Sequence, residues 1–217
     1  IGSQLTSMEP FEQAFRIMAN LVQDLRADGH EITVLDIGGG LGIAYDDQAP
    51  APPALSEYAA AARDILQPLG CRLLVEPGRS ITGSAGILVS EVLYLKKGQK
   101  RRFLIIDAGM NDLLRPSLYD ARHAIKPVSR NESAAVEYDV VGPICETGDT
   151  FAQGMRLQEM KAGDLVAIMD AGAYGAVMSS FYNTHPLAPE ILVEGDHFRI
   201  IRKRLEAEDI IALDSEH

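Results

Sequence analysis

Two short apolar runs, each followed at once by a glycine- or proline-containing loop, most constrain how this 217-residue chain can fold. Residues 32–37 run directly into three glycines, and residues 73–76 run into Pro77-Gly78-Arg79. A helix-like segment at residues 56–69 separates the two runs. A strand, helix, strand order predicts parallel strands joined by a helical crossover, since parallel strands need a long connection. The strands would be buried, in an open sheet or a slice of a barrel.

A third segment, ahead of the first run, has the period of an amphipathic helix. Its apolar residues recur at spacings of three and four: Phe11, Phe15, Met18, Leu21, Val22 and Leu25. Ser7 is placed to act as N-cap, Pro10 suits the first turn, and Gly29 suits the position just past the end. We therefore expect a helix between Ser7 and Gly29 with one apolar face.

The pattern changes near Ile87, where strand-like runs replace the helix and strand alternation. Residues 88–97 and 102–107 flank Lys97-Gly98-Gln99-Lys100, which predicts an antiparallel hairpin. Later strands are expected at residues 136–141, 165–169, 191–193 and 198–202, with a short helix at 206–213. The second part of the chain should therefore be mostly antiparallel β.

The net charge and the cysteine content limit the classes of binding partner and the cellular compartment to be expected. The sequence has 20 basic and 31 acidic residues, a net charge of −11, which disfavours nucleic acid and anionic membranes. No apolar run reaches the roughly 18 residues that a membrane span needs. Two cysteines, Cys71 and Cys145, cannot form a disulfide framework and indicate a reducing compartment. We expect a cytoplasmic protein.

The histidines show no metal-ligand spacing, so no metal is expected, and each is interpreted as solvated or locally hydrogen-bonded. They are His30, His123, His185, His197 and His217.

The ends of the two predicted parallel strands carry the first candidate chemistry. Carboxyl ends of parallel strands meet at one edge of a sheet, so both loops should lie together. Glycines at 38–40 and 42 would expose backbone N–H groups, as a phosphate cradle requires. Glu76 and Arg79 would present opposite charges to the same pocket. Taken alone, the glycines could also form a simple tight turn, and Glu76 with Arg79 could be a structural ion pair.

The two motifs LDIGGGLG at residues 35–42 and EPGR at residues 76–79 resemble the pyridoxal-phosphate-dependent decarboxylases of the ornithine/diaminopimelate group, fold-type III. Three later motifs look like the diaminopimelate branch: DAGMNDLLRPSLY at 107–119, GPICETGD at 142–149 and DAGAYG at 170–175. The resemblance implies a (β/α)8 barrel that carries the cofactor, followed by an antiparallel β-sandwich or barrel-like domain. Residues 1–87 would be the last part of that barrel, and residues 88–217 the mostly β C-terminal decarboxylase domain with short helices.

The resemblance also implies which residues bind pyridoxal 5′-phosphate: Gly40, Glu76, Pro77, Gly78, Arg79 and Tyr174. Gly40 would contact the phosphate, and Tyr174 would donate a hydrogen bond to it. Glu76 would keep the pyridine nitrogen protonated, which lets the ring withdraw electrons.

A second implied set would bind the substrate: Arg79, Arg115, Tyr119, Glu146 and Tyr174. Arg79, Arg115 and Tyr119 would bind the distal carboxylate, since a guanidinium can hold a carboxylate through two parallel hydrogen bonds. Glu146 would pair with the distal ammonium. Cys145 would be the general acid that protonates the carbon from which CO2 leaves, because a thiol pKa lies nearer neutrality than that of a hydroxyl. Without the resemblance, Cys145 would be interpreted as a small buried apolar residue and Arg115 as a surface charge.

The activity that the resemblance implies is decarboxylation of meso-2,6-diaminopimelate at its D-configured centre, which yields L-lysine. Related decarboxylases of carboxynorspermidine, ornithine, arginine or a carrier-bound amino acid remain alternatives, as does a non-catalytic homologue or fragment that acts by binding. The family usually forms homodimers, with Cys145 and Glu146 offered to the neighbouring subunit's site. The family's cofactor-attaching lysine lies on an earlier barrel strand, whereas the first lysine here is Lys96. We therefore expect the sequence to be the C-terminal portion of a longer enzyme.

Overall fold

The computed structural model describes residues 1–214, so the interpretation of His217 lies outside the described residues. The chain divides into two compact units, Ile1–Ala85 and Gly86 onward, which are described separately below. None of the helices among residues 1–214 combines the length and the apolar character needed to cross a bilayer.

The first unit alternates helices and strands, as predicted. Its elements are α1 (Glu9–Ala27), β1 (Val34–Asp36), α2 (Leu55–Leu66), a 3₁₀ turn (Gln67–Leu69), β2 (Arg72–Leu74), α3 (Gly78–Thr82) and a second 3₁₀ turn (Gly83–Ala85). Strands β1 and β2 pair in parallel, with Leu35 opposite Leu73, which confirms the predicted strand direction. The buried side chains come mainly from the two long helices and β1: Phe11, Phe15, Ala19, Val22, Leu35, Ala62 and Leu66.

Helix α1 ends as predicted but begins differently. Gly29 has φ +91°, its N–H donates to Arg26 O, and the N–H of the next residue donates to Leu25 O, both at 3.0 Å. This is the Schellman arrangement that favours glycine. The predicted N-cap Ser7 is wrong, because Met8 occupies that position and makes no side-chain cap. Pro10 in the first turn lacks one of the N–H groups that a capping side chain would accept.

The prediction that β1 and β2 are buried is wrong for the described residues, because nearly all of their residues are exposed or half-buried. Val34 and Leu74 are 40% and 41% exposed, whereas Leu35 is 5% exposed. Helices α1 and α2 cover the face that carries Leu35 and leave the other face open.

The second unit is built on a six-stranded sheet. In chain order its elements are β3 (Leu88–Lys97), β4 (Arg102–Ile106), α4 (Arg115–Tyr119), β5 (Ile125–Pro127), β6 (Val136–Val141), β7 (Thr150–Leu157) and β8 (Leu165–Ile168). The strand order is β5-β8-β3-β4-β6-β7. The predicted hairpin of β3 and β4 is confirmed. Four of the five strand pairs in this sheet are antiparallel, and the exception is β4 with β6, which run parallel with Leu104 opposite Val140. The chain reaches β6 through α4 and β5, and a long connection of this kind permits parallel pairing.

The sheet curls until its edges meet, so it is nearly closed like a barrel. Edge strands β5 and β7 contact each other, and the segments that follow them are hydrogen-bonded. Gln158 Nε2 donates to Ser129 O at 2.7 Å, and Asn131 N–H donates to Gln158 Oε1 at 3.0 Å. The interior is apolar and includes Val92, Leu104, Ile106, Val140, Val166 and Ile168, which are fully buried. Closure of this kind protects strand edges that would otherwise stay unpaired.

The remaining predicted elements are confirmed. Strands β9 (Glu190–Glu194) and β10 (His197–Arg202) form a separate antiparallel hairpin. Helix α5 (Ala207–Leu213) follows, and its first turn is closed by reciprocal hydrogen bonds between Glu206 and Asp209. Residues 190–214 thus form a hairpin and a short helix within the second unit, apart from its six-stranded sheet.

Candidate functional site

The two strand-end loops of the first unit lie side by side, as predicted. Glu76 N–H donates to Gly38 O at 2.8 Å, and Ile37 N–H donates to Leu74 O at 3.0 Å. The loops are so close that a Cβ on Gly39 would lie 2.1 Å from Glu76 O. Glycine is therefore required at position 39 by the approach of the neighbouring backbone.

The glycine loop leaves backbone donors available at this edge. Gly40 has φ +98°, and a Cβ there would lie 2.6 Å from Gly2 O, so a side chain is excluded. Within residues 1–214, the N–H groups of Gly39 and Gly40 donate to no protein acceptor. Adjacent backbone N–H groups without side-chain cover can bind anionic oxygens such as those of a phosphate.

Arg79 is half-buried and is bonded within its own unit. One guanidinium N–H donates to Ser3 Oγ at 2.9 Å, and another donates to the hydroxyl of Tyr45. The guanidinium carbon also lies 5.6 Å from the centre of the Tyr45 ring. Glu76, the other charged residue of this motif, is exposed. Sequence reasoning missed Tyr45, which reaches Arg79 from a loop 34 residues earlier.

In the second unit, helix α4 is joined to the loop of residues 142–149. Ser117 Oγ donates to Gly148 O at 2.5 Å. This bond holds the helix that carries Arg115 and Tyr119 against the loop that carries Cys145 and Glu146. The structure therefore brings these four predicted residues onto neighbouring segments of one unit.

The exposure of these residues differs sharply. Cys145 and Glu146 are exposed, and Tyr119 is 63% exposed. Arg115 is only 5% exposed. The alternative interpretations from sequence are thus wrong for two residues, since Cys145 is not a buried apolar residue and Arg115 is not a surface charge. The hydroxyl of Tyr182 lies 3.5 Å from Glu146 Oε2 and was missed from the sequence.

Asp149, the last residue of the loop that carries Cys145, fixes that loop through hydrogen bonds. Its Oδ1 accepts the N–H of Met110 and its Oδ2 accepts the N–H of Ile144, both at 2.7 Å. Burial raises the pKa of Asp149 above its ordinary value, although these two backbone hydrogen bonds oppose the rise. A Cβ on Gly142 would lie 2.3 Å from Asp149 Oδ2, so the carboxylate fits only beside a glycine. The sequence motif contained Asp149 but did not indicate this structural role.

We expect Asp149→Asn to lower the free energy of unfolding by about 2 kcal/mol, because its amide nitrogen would face a backbone donor and leave one N–H unpaired. This loss should exceed the gain from removing a buried charge, because each carboxylate oxygen now accepts its own hydrogen bond. Urea unfolding measures the change. Asp164→Asn is the control, since Asp164 accepts one N–H, from Lys161 at 2.8 Å, which an amide oxygen can replace. Equal stability of the two variants would contradict the prediction.

Tyr174 lies in a strained turn after β8. Its φ is +60° and that of Asp170 is +56°, which is the left-handed region that bulky residues avoid at a cost of about 1–2 kcal/mol. A Cβ on Gly175 would lie 2.2 Å from Ala171 O, so the turn is tightly folded. Tyr174 is nonetheless 42% exposed. Strain of this kind is found where a side chain has to be presented for function.

Two features define the class of protein. The first unit presents available backbone N–H groups at the end of a parallel strand pair, and the second unit is a nearly closed sheet whose connecting segments carry Arg115, Cys145 and Glu146. The profile of the family described as "Pyridoxal-dependent decarboxylase, C-terminal sheet domain" matches residues 18–172. The chain therefore belongs to the pyridoxal-dependent decarboxylase family.

Individual relatives agree with this family. A diaminopimelate decarboxylase from Zymomonas mobilis is 46% identical over 97% of this chain and 50% of that protein. The crystal structure of diaminopimelate decarboxylase from Helicobacter pylori, complexed with L-lysine, has a TM-score of 0.92 at 43% identity over 99% of this chain and 52% of that one. The enzyme of the same name from M. jannaschii, in co-complex with L-lysine, has a TM-score of 0.95 at 33% identity over 100% of this chain and 51% of that one. The chain spans about half the length of the relatives that it matches.

The cofactor of this family, pyridoxal phosphate, fits the residues present in the first unit. The Gly39 and Gly40 N–H groups have no competing protein acceptor in the described chain, and the site excludes any Cβ at either position. The exposed Glu76 follows the adjoining strand, and its carboxylate could pair with a protonated pyridine nitrogen.

Proposed function

We propose that the protein decarboxylates meso-2,6-diaminopimelate with pyridoxal phosphate, releasing CO2 and L-lysine. The observation that carries this proposal is the hydrogen bond from Ser117 to Gly148, which joins the helix that carries Arg115 and Tyr119 to the loop that carries Cys145 and Glu146. A substrate with a distal ammonium and a distal carboxylate needs one anionic group and one cationic group close together. The relatives named above, which share more than 40% of the sequence in two cases, support the same substrate.

Each half of the proposed site has a distinct task. The Gly39 and Gly40 N–H groups hold the cofactor phosphate, with Pro77, Gly78 and Tyr174 completing the contacts. The carboxylate of Glu76 keeps the pyridine nitrogen protonated. When bound, the cofactor supplies a ring that accepts the electron pair left by the departing CO2.

The remaining residues select the substrate and move one proton. Arg79, Arg115 and Tyr119 bind the distal carboxylate, and the carboxylate of Glu146 pairs with the distal ammonium. The thiol of Cys145 holds the proton at Sγ and delivers it to the carbon from which CO2 has left. Its exposure on a loop fixed by Asp149 suits a group that must reach a ligand.

We also propose that the first unit is the end of a (β/α)8 barrel and that the enzyme acts in the cytoplasm as a homodimer. The parallel pair of β1 and β2 supports the barrel, as does the length of the relatives. Two unbridged cysteines support a reducing compartment. The exposure of both Cys145 and Glu146 supports their contribution to the site of a neighbouring subunit.

Mixing two inactive variants tests whether each active site combines residues of two subunits. In a dimer that combines Glu76→Gln with Cys145→Ser subunits, one site would carry both substitutions and the other would carry neither. Random pairing makes half of the dimers mixed, so about a quarter of the wild-type activity should return. The measurement is the decarboxylase activity of the unfractionated dimers after co-expression, and mixed dimers isolated through two different tags should show about half of the wild-type activity. If each subunit formed its own complete site, mixing would restore no activity.

Substrate profiling tests the activity itself, with the full-length, cofactor-loaded protein. We expect kcat/KM for meso-diaminopimelate to exceed that for L-ornithine and L-arginine by at least about 100-fold, because neither of these has a distal carboxylate to pair with Arg115. Faster turnover of ornithine than of diaminopimelate would overturn the proposed substrate. The absence of any decarboxylation would favour the binding-only alternative.

A further inference from the structure

His123 is a buried residue that the proposed reaction does not yet use. It lies between α4 and β5 and is 3% exposed. Its Nε2 is 2.7 Å from Arg115 Nη1, and its Nδ1 is 2.8 Å from Met169 O. The ring therefore bridges the proposed substrate-binding arginine and the end of β8.

The two partners of the ring define its protonation. A backbone carbonyl oxygen only accepts, so Nδ1 must carry the proton that is donated to Met169 O. A guanidinium only donates, so Nε2 must offer its lone pair to Arg115. The hydrogen bonds thus assign a neutral His123 with its proton on Nδ1. The ring thus offers Nε2 as a hydrogen-bond acceptor to the Arg115 cation. A protonated histidine carries a donor on both ring nitrogens and could not do this.

The Met169 end of this bridge is itself fixed. Met169 N–H donates to Ala124 O at 2.8 Å, so residues 123 and 124 bond to both polar groups of the Met169 backbone. Arg115, in contrast, begins a helix of only five residues and has a long side chain with several rotatable bonds. A rigid ring held by a fixed backbone removes much of that freedom.

We propose that His123 is a positioning residue, which holds the Arg115 guanidinium in the orientation that binds the carboxylate of an amino-acid ligand. This inference rests on the proposed function of Arg115. It adds to that function a residue that touches no ligand and acts only through the arginine. Its loss should therefore affect ligands that carry the carboxylate and spare those that lack it.

Two substitutions separate the two hydrogen bonds of the ring. His123→Asn keeps an amide donor near the Nδ1 position for Met169 O and removes the acceptor for Arg115. His123→Gln places an amide oxygen near the Nε2 position and keeps that acceptor. The two ligands are L-lysine and cadaverine, which share the same diamine chain and differ by one carboxylate.

The experiment measures the dissociation constants of both ligands by calorimetry on the full-length, cofactor-loaded protein. We expect His123→Asn to weaken L-lysine binding about tenfold and to change cadaverine binding less than about twofold, as expected for losing one hydrogen bond to a charged group. His123→Gln should restore most of the L-lysine affinity. Equal weakening of both ligands would overturn the proposal, because it would show a general structural defect. Unchanged L-lysine binding in His123→Asn would overturn it as well.

Crystal structures of both variants keep this inference separate from the proposed function. If the wild-type protein neither binds L-lysine nor decarboxylates diaminopimelate, the proposed function fails. The crystal structures would still show whether His123 fixes the orientation of the Arg115 guanidinium. Displacement of the Arg115 guanidinium in His123→Asn but not in His123→Gln would support a positioning role. An arginine that stays in place in both variants would overturn it.

Discussion

Replacing Cys145 with serine is expected to lower kcat for diaminopimelate by about 10²–10⁴-fold, the usual contribution of a positioned general acid. A serine hydroxyl has nearly the same size but a far higher pKa, so it releases its proton much less readily. The residue is exposed and its loop is fixed by Asp149, so the exchange should leave the fold and the substrate contacts intact. KM should therefore change by less than about threefold.

The other cysteine provides the matched control. Cys71 is half-buried in the first unit, where Arg26 Nη2 lies 3.1 Å from its Sγ, and it has no part in the proposed site. We expect Cys71→Ser to retain wild-type kcat. Steady-state kinetics on the full-length, cofactor-loaded protein compare the two variants. A Cys145→Ser enzyme with wild-type kcat would show that another group delivers the proton.

Replacing Gly39 with alanine should weaken cofactor binding by roughly 100-fold, which corresponds to about 3 kcal/mol at the upper end of steric overpacking. The new Cβ would lie 2.1 Å from Glu76 O. That oxygen cannot easily retreat, because it accepts the N–H of Gly78 at 2.8 Å while the Glu76 N–H is bonded to Gly38 O. The two loops would have to separate, and the donors of the cradle would move with them. Absorbance titration of the apoprotein with pyridoxal phosphate measures the affinity.

A second glycine in the same pair of loops controls for the general effect of the substitution on stability. A Cβ on Gly78 would meet nothing within 4 Å. Gly78→Ala should therefore keep the wild-type free energy of unfolding within about 0.5 kcal/mol, whereas Gly39→Ala should lower it. Cofactor affinity at the wild-type level in Gly39→Ala would show that the loops do not need their close approach.

Local patterns were sufficient to predict much of the fold. The apolar period between residues 11 and 25 and the glycine at 29 gave the length of α1, since both signals act within one or two turns. The hairpin of β3 and β4 followed from two apolar runs around a short polar turn. The parallel pairing of β1 and β2 followed from the helix between them.

Elements without a local signal could not be predicted. Strand β5 has three residues and ends in a proline, and β7 mixes polar and apolar residues, so neither shows a clear period. The parallel pairing of β4 with β6 depends on how the connecting segments cross the sheet. Such topology is decided by the whole domain rather than by either strand.

The candidate site likewise has residues that local motifs predicted and contacts that no local motif could predict. The motifs placed Cys145, Glu146 and Arg115 on segments that the structure does bring together. The contacts that fix these segments come from residues far apart in sequence, such as His123 with Met169, which are 46 residues apart. Their side-chain partners are decided by packing, and no spacing rule indicates them.

The most direct test of the proposed activity follows one carboxyl group. The full-length, cofactor-loaded protein would be given meso-diaminopimelate labelled with ¹³C at the carboxyl of the D-configured centre, in D2O. We predict that all of the label is released as CO2 and that the L-lysine formed carries a single deuterium at the carbon that lost it. Label retained in the product, or formation of D-lysine, would contradict the proposed activity.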